Sequence, residues 1–373
     1  MNCKRGAKSL GITAPPGLAS LGHPPHPNSG LPEFGTLRWP KSDISDLGWG
    51  GITEIVARFV NMREPGPPGD NACPLGNESR GRAIFSQQIV NGLMLGSIYA
   101  MVAVALTLGI GVLRFLNFSI PGLFMIGGMM TWALVRSGVA WPLAAAAALM
   151  VGAAASLLVE LFTWRWMRKA DEFVPLVSSM AFLILFENLA VVHWGSELQS
   201  LPRLFASADW RIGNLVISAP QLVGLLLSIG LIAALSLVLA RTRLGRALRT
   251  IAEDADTALL LGVDIHRIVP MVFLISGAFA ALGGVLFALN YREVHPFMGE
   301  ALGLKGISAM VVGGMGNIWG AIAGGLFIGL AEVVSIDRLG ADFVDISVYG
   351  LLLLILIMRP TGIFGAAGTR ARS

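Results

Sequence analysis

Between residues 84 and 358 the chain is a succession of apolar runs, most of them near 20 residues, separated by short segments that carry its charges and many of its prolines. About 20 consecutive apolar residues is what an α-helix needs to cross the hydrocarbon of a bilayer. In that medium only structures that satisfy every backbone N–H and C=O internally survive, so a run of this length is a helix or nothing. The runs predict spans at residues 86–111, 117–136, 141–163, 174–194, 218–240, 268–290, 306–335 and 346–358. The fold class is therefore all-α: a polytopic transmembrane helical bundle. The stretch 306–335 is too long for one perpendicular span and short for two. A break within residues 313–317, at Gly-Gly-Met-Gly-Asn, makes the expected count eight or nine.

Composition closes off the alternatives. The chain is 54% hydrophobic and only 13% charged, whereas a soluble domain carries roughly 25% charged residues to cover its surface. Its net charge of +4 does not mark a nucleic-acid binder, because the basic residues form no stripe and gather where apolar runs end. The cysteines, Cys3 and Cys73, lie outside the apolar region and frame neither a disulfide scaffold nor a thiolate metal site. No HExxH, CxxC or paired-histidine spacing occurs, so no metal and no cofactor are expected.

The first 83 residues are different in kind. They hold 11 of the 19 prolines, and such a segment buries too little apolar surface to offset its ordering entropy. Residues 1–83 are read as a Pro/Gly-rich, disordered N-terminal extension. Residues 84–365 form the membrane domain, with a cytoplasmic loop at 241–268, and residues 366–373 form a cytoplasmic tail. Orientation follows the lysines and arginines of short loops. Arg241, Arg243, Arg246, Arg249 and Arg267 place one loop in the cytoplasm; Arg165, Arg168 and Lys169 place another there. Arg359, Arg370 and Arg372 do the same for the chain end, which favours two segments within 306–335.

Few residues could carry chemistry inside such a core. Glu187 stands mid-span in MAFLILFENLAVVHWG, where a carboxylate costs a few kcal/mol and must face the bundle interior or water. It is either a proton or solute site, or a structural carboxyl bonded to a neighbouring helix, as Asn188 beside it would be. Glu332 and Glu160 lie nearer span ends and suit structural or solvated roles. Gly316, Gly320 and Gly324 recur every four residues, the spacing that lets helices approach closely in lipid. There is no GxxxxGK[ST], so any ATP-driven step needs a partner chain.

The loop LGRALRTIAEDADTALLLGVDIHRI, residues 244–268, is the informative soluble segment. Arg246, Arg249 and Glu253 fall on one face of a short helix, and three leucines precede Gly262, a natural helix stop. Leucines in a cytoplasmic loop point to docking.

In order along the chain, SQQIVNGLMLGSIYA (86–100), LRFLNFSIPGLFMIGG (113–128), FENLAVVHWG (186–195), VVGGMGNIWGAIAGGLFIGLAE (311–332) and LLILIMRPTGIFG (353–365) resemble the integral-membrane permease subunits of branched-chain amino acid ABC transporters. DTALLLG, residues 256–262, is similar to the coupling pattern by which such permeases hold their ATPases. The resemblance implies an ABC importer permease fold and no enzymatic activity in the chain itself. It implies a paralogous second permease subunit, two cytoplasmic ABC ATPases, an extracytoplasmic solute-binding protein and a place in the bacterial inner membrane. Arg249, Glu253, Asp256, Ala258 and Gly262 would then belong to the coupling loop, and Asn117, Ser119, Glu187 and Asn188 to the solute pathway. Two departures bear on the solute. Ser119, Ile120, Pro121 and Gly122 follow Asn117-Phe118 where the family usually has Ala-His-Gly-Glu, and Glu187 stands where it commonly has Gln. The rival function is a proton- or ion-coupled secondary carrier that uses Glu187 as its coupling carboxylate.

Overall fold

The computed structural model describes residues 77–365 apart from 114, 167–172, 203, 205–208, 213–214 and 254; the expectations for residues 1–76 and for the tail lie outside it. Eleven helices follow in order: α1 (Asn77–Leu113), α2 (Ser119–Arg136), α3 (Trp141–Val159), α4 (Phe173–Trp194), α5 (Ala219–Arg241), α6 (Arg243–Glu253), α7 (Ala255–Leu260), α8 (Ile265–Tyr291), α9 (Met298–Gly313), α10 (Ile318–Leu339) and α11 (Val344–Met358). A π-helical turn, Glu160–Arg165, prolongs α3. Among the described residues there are also four short strands: β1 (Gln199–Ser200), β2 (Asp209–Ile212), β3 (Leu215–Ser218) and β4 (Glu293–Val294).

Among the described residues seven helices are long and apolar enough to cross a membrane. They are those carrying Ser86–Gly111, Trp141–Arg165, Phe173–Trp194, Ala219–Arg241, Ile265–Tyr291, Ile318–Leu339 and Ala341–Met358. With α2 and α9, both sealed inside the bundle, they account for the runs read from the sequence.

Helices α1 and α8 form the centre. Their apolar windows are 89% and 83% buried, against 17% for α5 and α11, whose leucines and isoleucines stay outside. In water such a rim would be an aggregation hazard, but in lipid it is the solvent-matched face. The most extensive helix contacts are those of α10 with α1 and of α8 with α2 and α3.

Glycine sets these distances. On α10, Gly320 and Gly324 meet Gly313 and Ala309 of α9, while Gly325 and Gly329 meet Ala100 and Gly96 of α1. A methyl at any of the four would overlap backbone atoms of the facing helix. Without a hydrophobic force between helices in lipid, this close backbone contact supplies the association. Gly316 does something else. It sits before α10 with φ +84°, next to Gly314 at φ +107°, and a side chain there would meet nothing. Its role is to turn the chain, since non-glycine residues rarely adopt such angles.

The expected break is therefore present, and it lies at the predicted place. Asn317 caps α10, its Oδ1 accepting from the N–H groups of Trp319 and Gly320 at 3.1 and 3.3 Å. The first of the two segments differs from expectation, because α9 begins at Met298 rather than near 306. Its early residues are Gly299, Glu300, Gly303 and Lys305, which depress local hydropathy; Gly299 and Gly303 are there to admit Pro121 of α2.

Two tethers fix the ends of the bundle. Ile363 and Phe364 donate their N–H groups to Val312 and Gly313, so the segment after α11 closes on the α9–α10 turn. At the opposite end β1 pairs antiparallel with β4, and Leu201 donates to the carbonyl of Arg292 at 2.7 Å.

Candidate functional site

The loop after α5 folds as two helices. On α6, Gly245, Leu248 and Ile251 are buried while Arg243, Arg246 and Arg249 are exposed, an amphipathic helix lying on the bundle with its basic face outward. Glu253 ends α6 and is exposed. Asp256 falls on α7, and Ala258 on the same helix is fully buried. Gly262 stops α7 at φ +79°. Its N–H donates to Leu259 and that of Val263 to Ala258, both at 3.0 Å, which is the paired Schellman closure of a helix end. The consequence is a display. Ala258 is held inward while Leu259, Leu260 and Leu261 stand out, 54%, 89% and 70% exposed. The result is three consecutive exposed leucines on a helix end locked by its cap.

The predicted pathway residues separate into two groups. Asn117 and Ser119 are buried at the start of α2 and satisfy each other: the backbone N–H and the hydroxyl of Ser119 donate to Asn117 Oδ1 at 3.1 and 2.7 Å. The N–H of Phe118 between them donates to Ser179 Oγ on α4 at 3.0 Å. Pro121 then lies against Gly299 and Gly303 of α9, and Gly122 against Leu183 and Phe186 of α4. The Ser-Ile-Pro-Gly turn is thus a wedge between α4 and α9.

Glu187 and Asn188, though adjacent, differ in burial. Glu187 is buried, 7% exposed, and its Oε1 has no hydrogen-bond partner. Asn188 is exposed on the outer face and donates back to the carbonyl of Ile184 one turn earlier, at 2.7 Å. It is not bonded to a neighbouring helix, because a polar side chain on the rim recovers its hydrogen bond most cheaply from its own helix.

The largest buried charge cluster was not legible as a site. Lys305 of α9, 1% exposed, donates to Glu332 Oε1 of α10 at 2.7 Å, and Tyr99 of α1 donates to Glu332 Oε2 at 2.7 Å. Asp345 of α11 lies 3.3 Å from the same ammonium. Four helices therefore meet on one ion cluster. The signal available was two opposite charges in successive apolar runs, which must pair to enter lipid. Lys305 falls just outside the apolar stretch 306–335, because Gly299, Glu300, Gly303 and Lys305 itself lower the hydropathy of the first half of α9.

Two further polar features lie toward the β1–β4 end. Asn91, Gln221 and Asn290 border a cavity of about 10 Å³, about the room one water needs. Gln221 and Gln87 both donate to Asn91 Oδ1, at 3.5 and 3.3 Å, while Asn290 Oδ1 has no partner. His295, between β4 and α9 and outside the spans, is 6% exposed with Nε2 unpartnered. Burial pushes its imidazole down to about 4, against an ordinary value near 6.5. The unfolded chain therefore binds the proton more readily than the folded one. The neutral imidazole's contribution is complete above about pH 6.5 and is lost as pH falls toward 4, up to a few kcal/mol. His295→Gln should flatten the fall in unfolding temperature between about pH 7.5 and pH 5 in detergent; an unchanged slope would mean that His295 is not the group responsible.

Comparison with known proteins agrees with this architecture. The sequence pattern of the branched-chain amino acid transport system permease component matches residues 88–358. The high-affinity branched-chain amino acid transport system permease protein BraD of Pseudomonas aeruginosa is 34% identical over 294 residues, covering 75% of this chain and 96% of that one. LivH of Escherichia coli, of the same description, is 34% identical over 295 residues with the same coverage. More distant is the autoinducer 2 import system permease protein LsrC of Escherichia coli, 25% identical over 292 residues, 74% of this chain and 81% of its own.

Proposed function

The chain belongs to the family of branched-chain amino acid transport system permease components, and we propose that it forms one half of the path by which an amino acid enters a bacterium across its inner membrane. Its working partners are a paralogous second permease subunit, two cytoplasmic ABC ATPases and an extracytoplasmic solute-binding protein. The observation that carries this reading is the leucine display at the end of α7. A multi-pass membrane protein without a phosphate-binding loop must receive the work of ATP hydrolysis through a surface, and Leu259, Leu260 and Leu261 are a strongly apolar surface on its cytoplasmic loops. The coupling roles of Arg249, Glu253, Asp256, Ala258 and Gly262 belong to the same proposal. ATP-driven closure of the ATPases would press on α6 and α7, which join α5 to α8, and α8 is packed against α1, α2 and α3. Helix contacts made through glycine allow the small sliding such a transition needs.

The test is transport itself. Proteoliposomes holding this chain, its paralogue and the ATPases should accumulate radiolabelled L-leucine only with internal ATP and external binding protein. Accumulation driven by a proton gradient in the absence of the ATPases would establish the secondary carrier instead. Nothing in the relatives' descriptions supports that carrier.

A further inference from the structure

Helix α5 leads into α6 and α7, yet the bundle encloses little of it. Its buried residues are Gln221, Gly224, Ser228 and Leu235, and the helices it packs against are chiefly α1 and α8. Apolar side chains therefore supply little of its hold on the centre, and its first turn is fastened by amides instead. Gln221 Nε2 donates to Asn91 Oδ1 of α1 at 3.5 Å, while Gln221 Oε1 accepts from the N–H of Ser218 at 3.1 Å. Asn290 of α8 comes up against Gly224, where an added methyl would lie 2.9 Å from Asn290 Nδ2 and 3.5 Å from Met94 Cε of α1.

The hydrogen bonds of this cluster do not close among themselves. Asn91 Oδ1 already accepts from Gln221 and from Gln87, which fills its two lone pairs. Asn290 Nδ2 donates to the carbonyl of Leu286 at 2.8 Å, but its Oδ1, on a side chain 5% exposed, has no donor among the described residues. A buried acceptor left in that condition costs free energy. Beside it is the cavity of about 10 Å³ that Asn91, Gln221 and Asn290 border and that Met94, Ile98 and Val333 close with apolar side chains. The space admits one water and nothing larger. No side chain around it carries a formal charge, which suits a small neutral ligand able both to donate and to accept.

We propose that this cavity is the binding site of one resident water, which donates to Asn290 Oδ1, accepts from the amide nitrogens of Asn91 and Gln221, and so anchors the first turn of α5 to α1 and α8. Three partners are typical of a buried water, whereas a cavity without polar walls stays dry. The anchor lies at the end of α5 remote from the loop of α6 and α7, about 30 Å away along the helix axis at 1.5 Å per residue.

The experiment is radiolytic hydroxyl-radical labelling of the full chain in lipid nanodiscs, after rapid mixing into heavy-oxygen water, read by mass spectrometry. A bound water yields its radical beside the side chain it touches. Met94 is the reporter, since it is 6% exposed and borders the cavity; Met101 and Met125, fully buried and away from it, are the dry controls, and Met180, 42% exposed, reports bulk water. Met94 should oxidise severalfold faster than Met101 and Met125, and heavy oxygen should reach it later than it reaches Met180. Asn290→Leu removes the acceptor and should bring Met94 down to the level of Met101. Gly224→Ala, which keeps all three amides and crowds the site with a methyl, should do the same, and it carries the test if oxidation of Met125 shows that Asn290→Leu has loosened the fold. Hydrogen exchange in the first turns of α5 should quicken in Asn290→Leu while α3 is unchanged. Met94 no more reactive than Met101 in the wild type would overturn the site, by showing a dry cavity. Unchanged Met94 oxidation in both variants would overturn it as well, and so would heavy oxygen arriving at Met94 as fast as at Met180, which marks a channel open to bulk water. Unaltered exchange of α5 in a folded Asn290→Leu chain would overturn the anchoring.

Discussion

Replacing Lys305 by Met should be the most damaging single substitution in the membrane core. It leaves Glu332, which is fully buried, with only the Tyr99 hydroxyl as donor, and it leaves Asp345 without the cation 3.3 Å away. Breaking a buried ion pair from one side costs about 3–5 kcal/mol, because the surviving charge is uncompensated. Glu332→Gln should cost less, since Lys305 keeps Asp345 as an acceptor. The double variant Lys305→Met/Glu332→Leu should recover most of the loss. Replacing both partners by apolar side chains of similar volume is often neutral. Thermal unfolding of the detergent-solubilised chain, with the yield of inserted protein, reads all three. If the double variant is as unstable as Lys305→Met alone, the pair is not the unit of stability and the cluster must be held together by Tyr99 and Asp345 instead.

This cluster also shows where sequence reading ends. Spans such as Ser86–Gly111 were legible because the bilayer imposes a length and a composition at once, and both can be counted along a chain. Helix α9 was legible only in its second half. Its first half trades hydropathy for glycines that admit Pro121 and for a lysine that pairs with Glu332, and both reasons are contacts between distant segments. The helical faces of Glu187 and Asn188 could not be separated either. Adjacent residues on a helix point about 100° apart, but only the packing of α4 on α2 decides which one is inside. Gly316 looked like part of a packing repeat, yet the helix starts at Ile318, so the repeat that packs is Gly320 with Gly324 on one face and Gly325 with Gly329 on the next. The two helices of the loop after α5 were the easiest feature outside the spans to read. Its periodicity, its leucines and its glycine stop are all local, and local signals survive without knowledge of the fold.

Leu260→Asp should abolish ATP-dependent uptake and leave the fold untouched, the combination that separates docking from stability. Leu260 is 89% exposed, so little packing within the chain is lost, and an aspartate there is hydrated better than the leucine it replaces. Burying a leucine against a partner contributes about 1.5–3 kcal/mol. Its removal alone would weaken ATPase binding roughly tenfold to a hundredfold, and the charge adds a desolvation cost on the partner's apolar face. Leu259→Asp and Leu261→Asp, 54% and 70% exposed, should follow in weaker form because part of each side chain already rests on this chain. Gly262→Glu is the less clean probe. Although nothing crowds the position, φ +79° is a left-handed conformation that costs a non-glycine residue about 1–2 kcal/mol, so the Schellman closure would loosen as the charge is introduced. Ala258 is worse, since a charged side chain at a fully buried position would lift α7 away from the chain and confound the two effects. Co-purification with the ATPases, read beside the unfolding temperature, distinguishes these cases. A Leu260→Asp chain that still retains its ATPases and transports at the wild-type rate would place the docking surface elsewhere, with the exposed arginines of α6, Arg243, Arg246 and Arg249, as the next face to test.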